Sequence, residues 1–435
     1  MNTPSDFIGD FTNETLVWDE GSLRLVENIG KGGMGVVYRA VDESDMTEYA
    51  VKILLKADPK SIEGQCQTRE IVMHQIASDH PNVLTLHKVI NRDDDQYIFL
   101  VLDYCPGGDL FMAISETQDY VKNDYLTKKV FIQILDAVQS IHDKGIYHRD
   151  LKPDNILVNK EGTEIFLCDF GLATDVTKCQ QFRCGSNYYM SPECIGEMPF
   201  GTRYPDVFYE PEKSDIWALG VILLNMITKR NPWNRASYSD PVFRAFWKDN
   251  NLLKTLLPIS TSTYLLMSRV FELDPDERIS LAEFREAVLD IDNFLLSEKE
   301  VVVAPKNAKV VAEENKRESP ATSAAPTSAP VESVAEIQAP AIMLTLSEDE
   351  YLYPSPDPYS MHLVSEDGNT RFTIGSVSSE DISSASSSFE SNPPLTPEAV
   401  TKVFSSEVDV TDAALSLTFD KLSIRAPLQI VMTAA

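Results

Sequence analysis

Asp150, Lys152 and Asn155 fall within one short string, Tyr147-His-Arg-Asp-Leu-Lys-Pro-Asp-Asn155. A carboxylate can accept the proton of an attacking hydroxyl, and an amide oxygen a few residues on can coordinate a metal ion. Further along comes Leu167-Cys-Asp-Phe-Gly171. Its Asp169 follows an apolar run that reads as a strand, where an unpaired carboxylate is costly. A Mg²⁺ ligand is the better explanation for it.

Two earlier strings add groups suited to phosphates. In Ile29-Gly-Lys-Gly-Gly-Met-Gly-Val-Val-Tyr38, the glycines Gly30, Gly32 and Gly35 with Val37 spell G-x-G-x-x-G-x-V. Glycine lets backbone N–H groups approach phosphate oxygens with no Cβ in the way. Apolar strand-like runs lie on both sides, which speaks against the strand–loop–helix setting of a dinucleotide site. In Tyr49-Ala-Val-Lys-Ile53, Lys52 lies inside an apolar run, expected as the third strand, and needs a partner. Glu70, in the helical string Thr68-Arg-Glu-Ile-Val-Met-His74, is the candidate. Together they can hold nucleotide α- and β-phosphates. A snorkelling surface lysine is the plain alternative.

The elements that must position these groups follow from periodicity. Alternating, β-rich segments cover 23–29, 35–40, 49–55 and 97–102, with one helical segment at 67–77. After Gly107-Gly108 the period is mostly helical, at 128–142, 214–227, 242–249, 264–271 and 281–291. Strands first and helices afterwards predict two lobes of different class, an α+β architecture.

Composition bounds the function. The 435 residues carry a net charge of −29. That opposes nucleic-acid binding and docking on an anionic membrane, and suits basic protein substrates. Six cysteines without a Cys-x-x-Cys pair point to a reduced, intracellular protein, cytoplasmic or nuclear. No secretory signal is visible at the N-terminus. The longest apolar run, 218–226, is too short to span a bilayer and reads as a buried helix. Beyond residue 297, Ser, Pro, Ala and Glu dominate and acidic side chains outnumber basic ones about two to one, a composition expected to stay disordered. Within that tail, 341–353 and 415–432 are more apolar, and Ser319-Pro320, Ser355-Pro356 and Thr396-Pro397 are candidate phosphosites. The oligomeric state is not legible.

Taken together, these strings resemble the eukaryotic protein kinases. The resemblance implies a bilobal fold, with a small β-rich N-lobe, a larger helical C-lobe and a disordered C-terminal tail. The expected division is an N-terminal extension at 1–15, a kinase domain at 16–296 and the acidic tail at 297–435. It implies ATP and Mg²⁺ as cofactors and transfer of the γ-phosphoryl group to protein Ser/Thr hydroxyls. Asp150 would be the catalytic base, with Lys152 beside it. Lys52 and Glu70 would form the ion pair, and Asn155 and Asp169 would hold the metal. Nucleotide contacts would come from Ile29, Gly30, Lys31, Gly32, Gly35 and Val37 in the glycine-rich hairpin. Ala50, Leu157 and Asp109 would add to them, with Leu102 as gatekeeper and Asp103 to Cys105 as the hinge for adenine. Glu193, in Met190-Ser-Pro-Glu193, would pair with Arg278, and Asp215 would anchor the catalytic loop. Lys152 and Ser186 suggest Ser/Thr specificity. The strings from Cys184 to Glu193, Asn231 to Ser237 and Phe243 to Trp247 resemble fungal kinases that repress conjugation and meiosis during growth. A scaffold that binds partners without phosphoryl transfer is the alternative, opposed by the presence of every polar residue the chemistry needs.

Several residues carry two readings. The place where this family often bears an activating phosphothreonine holds Phe182, although Arg149 is present to receive a phosphate. Phe182 is therefore expected to order the activation segment, which the resemblance places from Asp169 to Glu193, by packing, with Thr174 and Thr177 as other phosphosites. Asp109 and Asp154 sit where basophilic kinases usually carry acidic residues, and the resemblance implies a preference for basic residues upstream of the phosphoacceptor. Helix capping or ribose contact for Asp109, and plain solvation for Asp154, are the alternatives. Cys168 is a thiol open to a covalent ligand or, as favoured, a small buried apolar residue. His74 is expected to pack rather than to sense pH, and His148 to orient the catalytic loop.

Overall fold

The computed structural model describes residues 3–18, 21–33, 35–92, 95–117, 119–197 and 208–316. Alternation in β1 (Thr15–Trp18), β2 (Gly21–Lys31), β3 (Gly35–Asp42), β4 (Glu48–Leu55), β5 (Leu86–Asn91) and β6 (Tyr97–Asp103) sends side chains to two opposite faces. The strands form one antiparallel sheet in the order β1-β2-β3-β4-β6-β5. One face gathers Leu23, Leu25, Val36, Tyr38, Val51, Ile53, Phe99 and Val101. The other gathers Ala50, Leu54, Leu86, Leu100 and Leu102, with Val37, Leu157 and Cys168 packed against them. Lys52 thus lies on the fourth strand and not the third. Two strands escaped the periodicity reading: β1 is four residues long, and β5 carries the polar pair His87-Lys88.

The expected N-terminal extension is built into this lobe. Residues 3–14 cross the first face as a strap that leads into β1. The Phe11 ring meets those of Tyr38, Tyr97 and Phe99 edge-on, at 6.3, 5.2 and 6.0 Å. The Phe11 N–H donates to the Tyr38 hydroxyl (3.0 Å), which donates to Asp10 (3.1 Å). On the side of the second face lies α1 (Ile62–Ala77), capped by Ser61, whose hydroxyl accepts the Gly64 N–H. It buries Glu70, Met73, His74 and Ala77, at spacings of three and four.

The helical lobe contains α2 (Leu110–Glu116), α3 (Asp119–Lys122), α4 (Asp124–Asp143), the hairpin β7 (Ile156–Val158) and β8 (Ile165–Leu167), and α5 (Pro192–Ile195). It continues with α6 (Pro211–Thr228), α7 (Pro241–Lys248), α8 (Leu252–Leu256), α9 (Thr261–Val270) and α10 (Leu281–Asp290). α6 is buried nearly all round, as its unbroken apolar run requires. Gly220 is needed there, because a Cβ would stand 2.4 Å from Val270. Trp217, Trp233, Phe243, Phe246 and Phe271 pack ring to ring beside it. Among the described residues no helix is long and apolar enough to cross a membrane.

The start of the expected tail departs from the reading. Residues 298–316 form α11 (Glu298–Val303) and α12 (Lys306–Lys316), and α12 packs on α8 and α6. Ser297 and Glu300 make a capping box, and Ala308, Val311, Ala312 and Asn315 bury one stripe. The stripe consists of small residues scattered among charges, so bulk composition conceals it. Arg230 pairs with Glu314 and ties α12 to the end of α6. The remainder of the tail lies outside the described residues, as do its two apolar stretches and its three Ser/Thr-Pro sites.

Candidate active site

Lys52 stands on β4 between Val37 of β3 and Leu100 of β6. Its ammonium reaches Glu70 Oε1 of α1 at 2.6 Å and Asp169 Oδ1 at 3.9 Å. Burial pulls the Lys52 ammonium down, but the two carboxylates outweigh it and the net shift is upward. Burial pushes Asp169 up; Lys52, His148 and the Gly171 N–H outweigh it, and its carboxyl ends below the usual range. The charged forms of both groups are therefore favoured.

A second cluster forms on the loop after α4. Asp150 Oδ1 accepts the Ser186 hydroxyl at 2.8 Å. Lys152 Nζ lies 3.2 Å from Asp150 Oδ2 and donates to Ser186 Oγ at 3.1 Å. The Asn155 amide donates to the Asp150 carbonyl (2.8 Å) and to its Oδ2 (3.2 Å). Ser186 comes this close because Gly185 has φ +114°, and a Cβ there would lie 2.5 Å from the Arg149 carbonyl.

The backbone is strained on both loops of the site: Arg149 has φ 64° and Asp169, after β8, has φ 65°. Such angles persist in non-glycine residues only where the surroundings enforce them. Asp215 supplies that enforcement from buried α6. It accepts the N–H of His148 (2.8 Å) and of Arg149 (2.9 Å), and contacts His142 Nε2 at 2.9 Å. His148 also contacts the Cys168 carbonyl through Nε2 at 3.1 Å, joining the two polar strings. The Phe170 ring lies between His74 (5.0 Å) and His148 (5.3 Å). His74 Nε2 is engaged with the Leu84 carbonyl at 2.8 Å, a buried and satisfied packing role.

The remaining pocket residues divide. Val37, Ala50, Leu102, Cys105, Leu157 and Cys168 share the second sheet face and form one apolar wall. Ala50 and Leu102 are direct cross-strand partners. Asp103 uses its carboxylate on His87 (2.6 Å) and the Thr85 N–H (3.3 Å), leaving backbone as its offering to a ligand. Burial pushes the Cys105 thiol up to about 12, and burial followed by Asp169 raises Cys168 as well. Such thiols are poor nucleophiles at neutral pH.

Gly35 is required by the fold, since a Cβ would sit 2.4 Å from the Ile53 carbonyl. Beside Gly32 there is open space, and beside Gly30 nothing nearer than Val37 Cβ at 3.8 Å. Ile29 is partly exposed. Lys31 follows at the end of the same strand. It stands opposite Val36, whose side chain lies on the strap-covered face, and directly opposed residues share a face. Its ammonium is held by Asp6 at 2.6 Å. Only the Lys31 backbone remains for a nucleotide.

Asp109 caps α2, its Oδ1 accepting the Met112 N–H at 2.8 Å. Burial, and then the carboxylates of Asp154 and Glu116, still raise its carboxyl. Phe182 packs on Tyr209 with ring centres 5.7 Å apart, and a Cβ on Gly196 would lie 3.1 Å from it. Arg149 donates to the Leu172 carbonyl (2.6 Å) and to Gln181 Oε1 (3.2 Å). Thr174 is buried and its backbone pairs with Tyr147, whereas Thr177 is exposed. Glu193 and Arg278 form a buried two-point pair. His142, Gln181 and Asp6 were not legible in the sequence, because each is brought in by chain distant from the motif it serves.

A nucleoside triphosphate with a divalent cation fits this donor set. Lys52 is a charged partner for phosphates, and open space flanks Gly32 and Gly33. Asp169 and Asn155 are oxygen donors near one another. Among the described residues no group of three His, Cys, Asp or Glu side chains is placed to hold a metal ion alone. A cation here needs oxygens from phosphate and water, as Mg²⁺ commonly does.

Comparison with known proteins agrees with this geometry. The protein kinase domain profile matches residues 23–289. A Schizosaccharomyces pombe protein named negative regulator of sexual conjugation and meiosis is 43% identical over 287 residues, covering 63% of this chain and 61% of that protein. The serine/threonine-protein kinase VHS1 of Saccharomyces cerevisiae is 32% identical, covering 62% of this chain and 70% of its own length. The serine/threonine-protein kinase ksp1 of Schizosaccharomyces pombe is 34% identical, covering 63% and 57%. The chain thus spans about three fifths of the length of the first of these relatives.

Proposed function

Because the chain belongs to the protein kinase family, we propose that it is an active Ser/Thr kinase that transfers the γ-phosphoryl group of Mg·ATP to protein substrates inside the cell. The observation that carries this reading is the Lys52 ammonium set between Glu70 and Asp169, facing a loop with Asp150, Lys152 and Asn155. Bound Mg·ATP supplies the phosphoryl group and the neutralising cation. Lys52, held by Glu70, binds phosphate oxygens. Asp169 and Asn155 are the protein's ligands to the metal. Asp150 Oδ1 accepts the proton of the substrate hydroxyl, and the Ser186 hydroxyl at 2.8 Å supports that role by showing that a hydroxyl fits there. Lys152 balances the charge beside it.

Two finer parts of the reading concern specificity and control. Asp109 and Asp154 crowd one another electrostatically, and a substrate guanidinium would relieve the crowding; this supports selection of basic residues upstream of the phosphoacceptor. The Phe182 contacts and the engagement of Arg149 by Leu172 and Gln181 support an activation segment ordered without phosphate. The 43% identical relative is named a negative regulator of sexual conjugation and meiosis, and that likeness supports a role for this kinase in restraining sexual development. The test is radiolabelled ATP with an arrayed peptide library, run beside Asp169→Asn. Labelling of Ser/Thr peptides with upstream arginine, absent in the variant, is expected; selection of acidic or neutral upstream residues would refute the specificity.

A further inference from the structure

The strap ends in a contact with the glycine-rich hairpin. Residues 4–7 form one 3-10 turn, in which Thr3 and Asp6 cap each other. The Thr3 N–H and hydroxyl donate to Asp6 Oδ2 at 2.8 and 3.1 Å, and Asp6 Oδ1 is left to Lys31 Nζ at 2.6 Å. One oxygen fixes the carboxylate and the other holds the hairpin. The turn is itself anchored. Besides the Phe11 contacts, the Asn13 N–H donates to the Leu25 carbonyl (2.7 Å), and the Leu25 N–H to the Glu14 carbonyl (2.9 Å). Lys31 immediately precedes Gly32 and Gly33, at the turn between β2 and β3. The kinase profile begins at residue 23, so the strap lies outside the shared domain.

We propose that Asp6 is a positioning residue for nucleotide binding: through Lys31, the strap fixes the position of the glycine-rich hairpin from the face opposite the nucleotide. The inference rests on the ATP-binding reading of the site. The pair is partly exposed, so its leverage is modest and acts on nucleotide affinity rather than on the transfer step. Simple field effects predict a different pattern. If Asp6 acted only through its charge, a lysine there would attract the triphosphate and tighten binding. A latch is broken by either single reversal and remade by both together.

The experiment uses the full chain and the variants Asp6→Lys, Lys31→Asp and the double exchange, with Lys31→Gln as a charge-neutral control. Dissociation constants for a fluorescent ADP analogue are measured alongside KM for ATP and kcat at saturating ATP, with melting curves to verify folding. Asp6→Lys and Lys31→Gln are each expected to weaken nucleotide binding about two- to fivefold, read in both the dissociation constant and KM. The double exchange is expected to recover most of the loss. Tighter binding in Asp6→Lys, unchanged constants in the single variants, or a double exchange no better than the singles overturns the latch while ATP binding stands. Wild-type protein that binds no nucleotide overturns the ATP reading and the latch with it.

Discussion

Arg278 and Glu193, far apart in sequence, meet through two N–H···O contacts at 2.5 and 3.1 Å with both side chains buried. Arg278 also donates to the carbonyls of Glu272 and Lys213 and lies over the Trp217 ring at 5.0 Å. The pair thereby joins the end of the activation segment to the aromatic cluster of the helical lobe.

Removing one partner leaves a buried charge unpaired. Glu193→Ala and Arg278→Ala should each cost about 3–5 kcal/mol, read from urea unfolding. The paired replacement Glu193→Leu with Arg278→Met should cost less than either single change, because no charge is stranded. Additive losses would contradict this account of the pair.

Phe182 should order the segment by packing, with no phosphate required. Protein made in bacteria and treated with phosphatase should retain its activity. Phe182→Ala should lower activity by loosening the segment over Tyr209 and Gly196, whereas Thr177→Ala should leave it unchanged. Complete loss of activity on phosphatase treatment would sink this prediction.

His74 predicts an acid limb of stability. Burial, with Lys52 and His148 adding to it, lowers its pKa from 6.5 to about 4. Below about pH 6.5 the unfolded chain binds a proton that the folded chain refuses, so stability falls as pH drops towards 4 and this contribution levels off below that. The full contribution is about 3 kcal/mol. Unfolding free energies at pH 7.5, 6.0 and 5.0 should show a shallower acid slope in His74→Met than in the parent. An identical slope would assign the pH dependence to other groups.

Much of the site was legible because its motifs are local. The strings around Gly30, Lys52, Asp150 and Asp169 each specify a chemistry within a few residues, and a buried lysine implies an acidic partner, here Glu70. The supports were not legible. Asp6 reaches Lys31 only because the strap folds back across the sheet, and His142 reaches Asp215 only because α4 and α6 pack together. The side-chain direction of Lys31 was hidden for a related reason: strand register, not motif membership, decides which face a side chain takes. The helix at 306–316 was hidden because Ala308, Val311 and Ala312 form a stripe too small to stand out among charges.

The central claim is that Asp150 and Asp169 serve one phosphoryl transfer. Its most direct test is transfer of label from γ-³²P-ATP to an arginine-containing Ser/Thr peptide by wild type, Asp150→Asn and Asp169→Asn, with nucleotide binding measured on the same samples. The wild type should transfer, Asp150→Asn should bind nucleotide but turn over on the order of 10²-fold more slowly or worse, and Asp169→Asn should show no transfer. Wild-type protein that binds ATP yet transfers nothing, or an Asp150→Asn variant as fast as its parent, would contradict the account.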